Sequence, residues 1–262
     1  MFSFLKPHPF LDPTSADWIW DSFFWAMQCF DSNEFFQRSQ LIQPSNEFFP
    51  GRVDSVQAKA ENIFVHTLHH SGLSHWPFEL RPPEHFQQTA TPLLASLPIS
   101  RMSGETKLLP LVAEHPIQLT YNPQQTLKPE DLAANFSHLL ALHLITQAQQ
   151  LPPGGQEFLT EAGELVAIFM GFGVLFANSA YTFRGGCGSC YNPQANRVAS
   201  LSEHEAIFAL AIFCDLKKIP TSDPTRYLKK HLKSAYKKAL KQIKSEPEKL
   251  QRLHNFDNRS EE

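Results

Sequence analysis

Phosphate loops of the Walker type, G-x-G-x-x-G turns, G-x-S-x-G elbows and suggestively paired carboxylates are all missing from this chain. Their absence removes the most direct sequence arguments for nucleotide binding, dinucleotide chemistry and serine hydrolysis. Cysteine is scarce. Four residues, Cys29, Cys187, Cys190 and Cys214, are too few for a disulfide scaffold at this length. Charge of one sign is also lacking: 23 Lys and Arg against 26 Asp and Glu leave a net charge of -3, so bulk electrostatics names no partner. The longest apolar run, 165–177, holds 13 residues, short of the ~20 that a spanning helix needs, and is expected to be a buried core helix with no membrane partner. The opening "MFSFLKPHPFLDP" has neither a sustained apolar stretch nor a basic amphipathic character, so a cytoplasmic protein with reduced thiols is expected.

What is present is enough apolar material to fold. With 42% hydrophobic residues in 262, the chain can bury a substantial core, and its twenty prolines mark the joints. No internal repeat or low-complexity linker divides it, which predicts one domain over 1–220 followed by a basic amphipathic helix and a frayed tail over 221–262. "SADWIWDSFFWAMQCF" predicts a helix capped by Ser15 and docked by Trp18, Phe24 and Trp25. "DSVQAKAENIFVHTLHHSG" places Val56, Ala60, Ile63, Phe64 and Leu68 at helical spacing and stops at Gly72. "FELRPP", "TKLLPLV" and "PIQLTY" are short, proline-bounded and partly alternating, as strands of a small sheet are. Helices return with "PEDLAANFSHLLALHLITQAQQL", opened by Pro129, and with "EFLTEAGELVAIFMGFGVLFANSA", read as one buried helix whose glycines serve close packing. "SLSEHEAIFALAIFCDLKK" begins with a Ser202 and Glu205 capping box. Helices, then strands, then helices predict an α+β domain that is mainly helical.

The helix opened by Pro129 carries His138 and His143. Five residues apart, they stand roughly 140° around the axis and cannot share one metal. A zinc peptidase would place a glutamate at 139 and a second histidine at 142, and both positions are leucine.

Two longer stretches then carry a resemblance. "PIQLTYNPQQTLKPEDLAANFSHLLALHLI" followed by "LTEAGELVAIFMGFGVLFANSA" resembles a bacterial zincin-like family of H-E-x-x-H type, in which a strand and Y-x-P lead into a helix reading A-H-E-L-A-H. The next helix of that family reads T-D-L-x-A-V-F-x-G-F-G, and "LSEHEAIFALAIF" is similar to its last core helix. The resemblance extends over about 115–215. It implies a zincin-like fold in which His138 falls on the first ligand, Leu139 on the catalytic glutamate, Leu142 on the second ligand and Glu164 on the acidic ligand of the following helix.

Two of those four positions have lost their chemistry. Zinc hydrolysis needs about three protein ligands, an open position for water and a base to take its proton, and leucine supplies neither lone pair nor base. Leucines gain roughly 1.5–3 kcal/mol each by burial, whereas an unpaired buried imidazole or carboxylate is penalised. Replacement by leucine is thus a consistent way to retire a site. His138 and Glu164 are then expected to satisfy each other as a hydrogen-bonded pair.

Three other stretches compete. Cys187 and Cys190 in "RGGCGSC" have the C-x-x-C spacing of half a zinc site, or are two ordinary thiols in a glycine-rich loop. His66 and His70 lie four apart on a helix and are the best substitute ligands, although histidines near a helix C-terminus also complement its dipole. "RYLKKHLKSAYKKALKQIKS" has Leu228, Leu232, Ala235, Ala239, Leu240 and Ile243 on one side, with Arg226 and seven lysines elsewhere. A solvated face is the expected use of that charge, and nucleic acid is not an expected partner.

The combined expectation is a pseudoenzyme: no catalytic residue, no resident cofactor, and a retained groove that binds a peptide or protein. The alternatives are a zinc-dependent hydrolase drawing ligands from His138, Glu164 and His66 or His70, and an adaptor acting through its basic C-terminal helix.

Overall fold

The computed structural model describes residues 8–87, 101, 116–180 and 195–257. Helix α1 (Pro13–Cys29) is capped three residues ahead of the expected Ser15: the Asp12 side chain accepts from the Ser15 backbone N–H at 3.0 Å, with Pro13 at the first helical position. Trp20 and Phe23 supply its buried face together with Trp25, while Trp18 and Phe24 stay only partly buried at its rim. A short α2 (Ser32–Gln37) follows, and α3 (Val56–His70) is capped by Ser55. Ala60, Ile63 and Phe64 bury their side chains as the spacing predicts, but Val56 lies half exposed in the first turn.

Two of the three expected strands lie among the described residues and form a sheet. Phe78–Leu80 (β1) and Ile117–Leu119 (β2) pair in parallel, Phe78 opposite Ile117. "TKLLPLV" lies outside the described residues. The protein is therefore a mainly helical α+β fold with, among the described residues, a two-stranded sheet.

Helix α4 (Pro129–Ala148) runs from the expected proline and closes where Gln149 turns left-handed. The next stretch differs from expectation. It forms α5 (Leu159–Ala167), a π-turn (Ile168–Phe172) and α6 (Gly173–Ser179), because Gly171 adopts φ +111° and interrupts the ladder. A Cβ at Gly171 would lie 2.0 Å from the Gln40 carbonyl oxygen, and the Gly171 carbonyl accepts from Ile42 N–H at 2.9 Å. Gly173 serves the expected close packing: its Cβ would lie 2.8 Å from Leu210 Cδ1. Residues 162–179 are all buried. Although 155–179 is long and apolar enough by composition to cross a membrane, 78% of its apolar window is inside the fold, so it acts as the core rod.

Helix α7 (Glu203–Leu216) starts at the predicted capping box, with both reciprocal bonds formed. It is followed by α8 (Ser222–Tyr227), α9 (Leu232–Lys244) and α10 (Pro247–His254). Over 246–257 the tail is not frayed as expected. Leu253 and Phe256 are buried, and Phe256 meets Phe24 edge to face at 5.2 Å, so α10 is held by the same apolar core that orders α1.

Candidate functional site

His138 and Leu142, the two positions that the resemblance assigns to ligands on α4, meet the following helix, but as packing. Gly163 of α5 lies against the His138 ring and Leu142: a Cβ there would fall 2.8 Å from His138 Nε2 and 2.7 Å from Leu142 Cδ2. Helix α5 thus presses on the side of α4 where an i and i+4 pair of ligands would point. Leu139 packs partly buried against the core. His138 Nε2 has no hydrogen-bond partner among the described residues. Burial pushes the imidazole below its ordinary value, opposed by the Glu164 carboxylate and the Thr160 carbonyl and assisted by Arg197. The ring is therefore neutral at pH 7.

Glu164 is fully buried and does not pair with His138 as expected. Its Oε1 accepts from the Arg197 guanidinium and from Ser200 N–H at 2.9 Å, and its Oε2 accepts from Leu201 N–H at 3.0 Å. Arg197 also donates from Nε to Ser179 Oγ at 2.9 Å and lies over the Phe176 ring, 4.5 Å from its centroid. Its backbone N–H binds Asp131 Oδ2 at 3.0 Å. The carboxylate that the resemblance assigns to metal is neutralised by an arginine. Nothing in "NRVAS" marks Arg197 as buried, since only the tertiary fold brings it to α5.

The other ligand candidates do not complete a centre. His70 Nε2 bonds the Phe48 carbonyl at 2.7 Å, its ring meets Phe48 and Phe49, and His66 stacks on it at 6.4 Å. Burial lowers the His70 pKa, so its neutral ring donates to that carbonyl. Among the described residues no group of three or more His, Cys, Asp or Glu side chains is placed to hold a metal ion. Cys187 and Cys190 lie outside the described residues.

What His70 holds instead is one wall of a cleft. The loop from Pro44 to Asp54 is tied to α3 at two points near its middle, by His70 on Phe48 and by Asn62 Nδ2 on the Pro50 carbonyl at 3.0 Å, with Gly51 at φ +105° over Asn62. Between this loop, α3 and the start of α4 lies a cavity of about 610 Å³. Phe49, Val53, Ile63 and Ala133 give it apolar walls, and Arg52, Lys59 and Glu130 bring charge to it. Ser45, also lining it, has a buried Oγ with no partner among the described residues.

Glu130 is the chemically distinctive group. Asn178 Nδ2 donates to its Oε1 at 2.6 Å, and Asn178 is itself fixed by the Tyr227 carbonyl at 3.0 Å and by Lys229 N–H at 3.0 Å. Burial raises the carboxyl to about 7; Asp131 adds to the rise, while Asn178 and Lys229 oppose it. Oε2 takes no hydrogen bond among the described residues. At neutral pH this carboxyl can present either a donor or an acceptor to a ligand. In the sequence Glu130 is one of two acids in a helix first turn, the usual complement to a helix dipole, and that ordinary role hides it.

No family model, curated protein or solved structure matches the chain.

Proposed function

We propose that this protein is a zincin-like scaffold without hydrolytic chemistry, and that it binds an extended peptide or protein segment in the cleft between the Pro44–Asp54 loop, α3 and α4. The observation that carries the reading is the double use of α4. At His138 and Leu142 the helix is closed against Gly163, with the neighbouring Glu164 claimed by Arg197, whereas its first turn opens into a cavity of about 610 Å³ beside Glu130. Apolar walls with a few convergent polar groups suit a segment that buries one or two apolar side chains and hydrogen-bonds through its backbone. Glu130 and the Ser45 hydroxyl are placed to meet such backbone groups.

The test uses an array of immobilised dodecapeptides of varied composition, the purified protein, and a Val53→Trp variant that fills the cleft mouth from a half-buried position. A subset of peptides with apolar side chains is expected to retain the protein, the variant is expected to lose that subset at unchanged melting temperature, and mass spectrometry is expected to find every peptide intact. Retention indifferent to Val53→Trp overturns the cleft assignment. About one zinc per chain, lost in His138→Ala together with chelator-sensitive peptide cleavage, overturns the pseudoenzyme reading.

A further inference from the structure

Helix α9 presents a fixed array of lysines. On its core side Leu232, Tyr236, Ala239 and Ile243 are buried, so the helix cannot rotate without opening the apolar core. At about 100° per residue, Lys233, Lys237, Lys241 and Lys244 fall within about 80° of one another on one flank, centred about 125° from that buried side, with Lys238 about 60° beyond Lys241. Lys229 and Lys230 extend the array at the N-terminal end, and six of the seven, all but Lys233, are exposed. Among the described residues only Lys244 of this array forms an ion pair, with Asp215 at 4.0 Å, and that contact is weak and screened. Of the other six, Lys229 acts on the Glu130 carboxyl, and Lys230, Lys233, Lys237, Lys238 and Lys241 form no ion pair among the described residues, so the local field is positive although the chain as a whole carries -3.

We propose that this face binds the phosphate backbone of nucleic acid without reading its sequence. Three features favour that occupant. A protein interface needs an apolar or aromatic anchor and is depleted in lysine, and none of the exposed large apolar side chains among the described residues belongs to α9. Insertion into a membrane surface needs the apolar side of the helix, which the core already occupies. Lysine, a point charge on a flexible stem, meets phosphate without base recognition, and the stripe from Lys233 to Lys244 spans roughly 16 Å, alongside which a duplex carries about one charge per 1.7 Å. The sequence alone predicts a solvated face because lysine runs usually are one; the fixed orientation and the five lysines without an ion pair among the described residues are what change that reading.

The probes are a fluorescein-labelled 24-base-pair DNA duplex and an RNA duplex of the same length, followed by anisotropy from 50 to 200 mM salt. Engagement of about four lysines predicts a log–log salt slope near -3.6, on the order of a hundredfold weakening over that range. The triple variant Lys237→Glu/Lys238→Glu/Lys241→Glu is expected to weaken binding at least tenfold and to flatten the slope, with circular dichroism unchanged because all three side chains are exposed. Arg52→Glu in the cleft is expected to leave binding intact, so failure of the peptide reading and failure of this one remain separate. Unequal affinity for the two duplexes identifies DNA or RNA as the source of the phosphates. Neither duplex binding at 50 mM salt, an unchanged slope in the triple variant, or binding only to polyglutamate or to vesicles containing phosphatidylserine overturns the proposal.

Discussion

Glu164 shows how one unpredicted neighbour changes the meaning of a residue. A carboxylate with no solvent contact must be paired, and a metal, the His138 ring and an arginine would each do so. Arg197 takes it, with two backbone N–H groups completing the coordination. The pairing is expected to be necessary once either charge is present, yet dispensable as a unit. Arg197→Met leaves a buried carboxylate with only backbone donors and is expected to destabilise by about 3–5 kcal/mol, whereas Glu164→Leu/Arg197→Met is expected to lose less than that single change. Urea unfolding of the two variants and of wild type measures the difference. A metal-binding Glu164 gives the opposite order, because the double variant then also loses the ion.

At the scale of elements, the helix period placed α3, α4 and α7 within a few residues, and the Ser202–Glu205 box located the start of α7. The interruption at Gly171 was not legible, since periodicity reports which residues are apolar and not where the backbone turns left-handed. The reason for that turn is tertiary: Gln40 approaches from a segment about 130 residues earlier, and only a glycine leaves room for its carbonyl. Gly171→Ala must therefore move the Gln40 backbone and adopt an unfavourable φ together. A loss of about 3 kcal/mol or more is expected, read as a fall in melting temperature, while Gly155→Ala, also positive in φ at +75° but with nothing within 4 Å, is expected to lose about 1 kcal/mol or less. Equal effects would show that φ alone, and not the approach of Gln40, fixes Gly171. The cleft was hidden for a related reason. Its wall is a loop tied down by His70 and Asn62, and Glu130 acquires its character from Asn178, which the sequence places 48 residues away.

For the whole molecule these buried groups make stability a function of pH with two opposed contributions. Burial lowers His143 from 6.5 to about 4 and depresses His138 and His70 as well, so below 6.5 the unfolded chain binds protons that the folded one refuses, and stability rises with pH up to that value. Glu130 acts in reverse. Its carboxyl is raised from 4.5 to about 7, so between those values the unfolded chain has released a proton that the folded one keeps, and stability falls as pH rises; below 4.5 both states hold the proton, and above 7 the penalty is constant. The two trends oppose each other from 4.5 to 6.5, and only the Glu130 decline continues from there to about 7. Glu130→Gln keeps an acceptor oxygen for Asn178 and removes the ionisation. It is expected to match wild type at pH 4 and to become progressively more stable than wild type up to about pH 7, with a constant advantage beyond, in urea denaturation series from pH 4 to 8. An advantage that does not change with pH would mean that Glu130 is solvated like a surface acid. The cleft would then lack the one group that makes it chemically different from the rest of the surface.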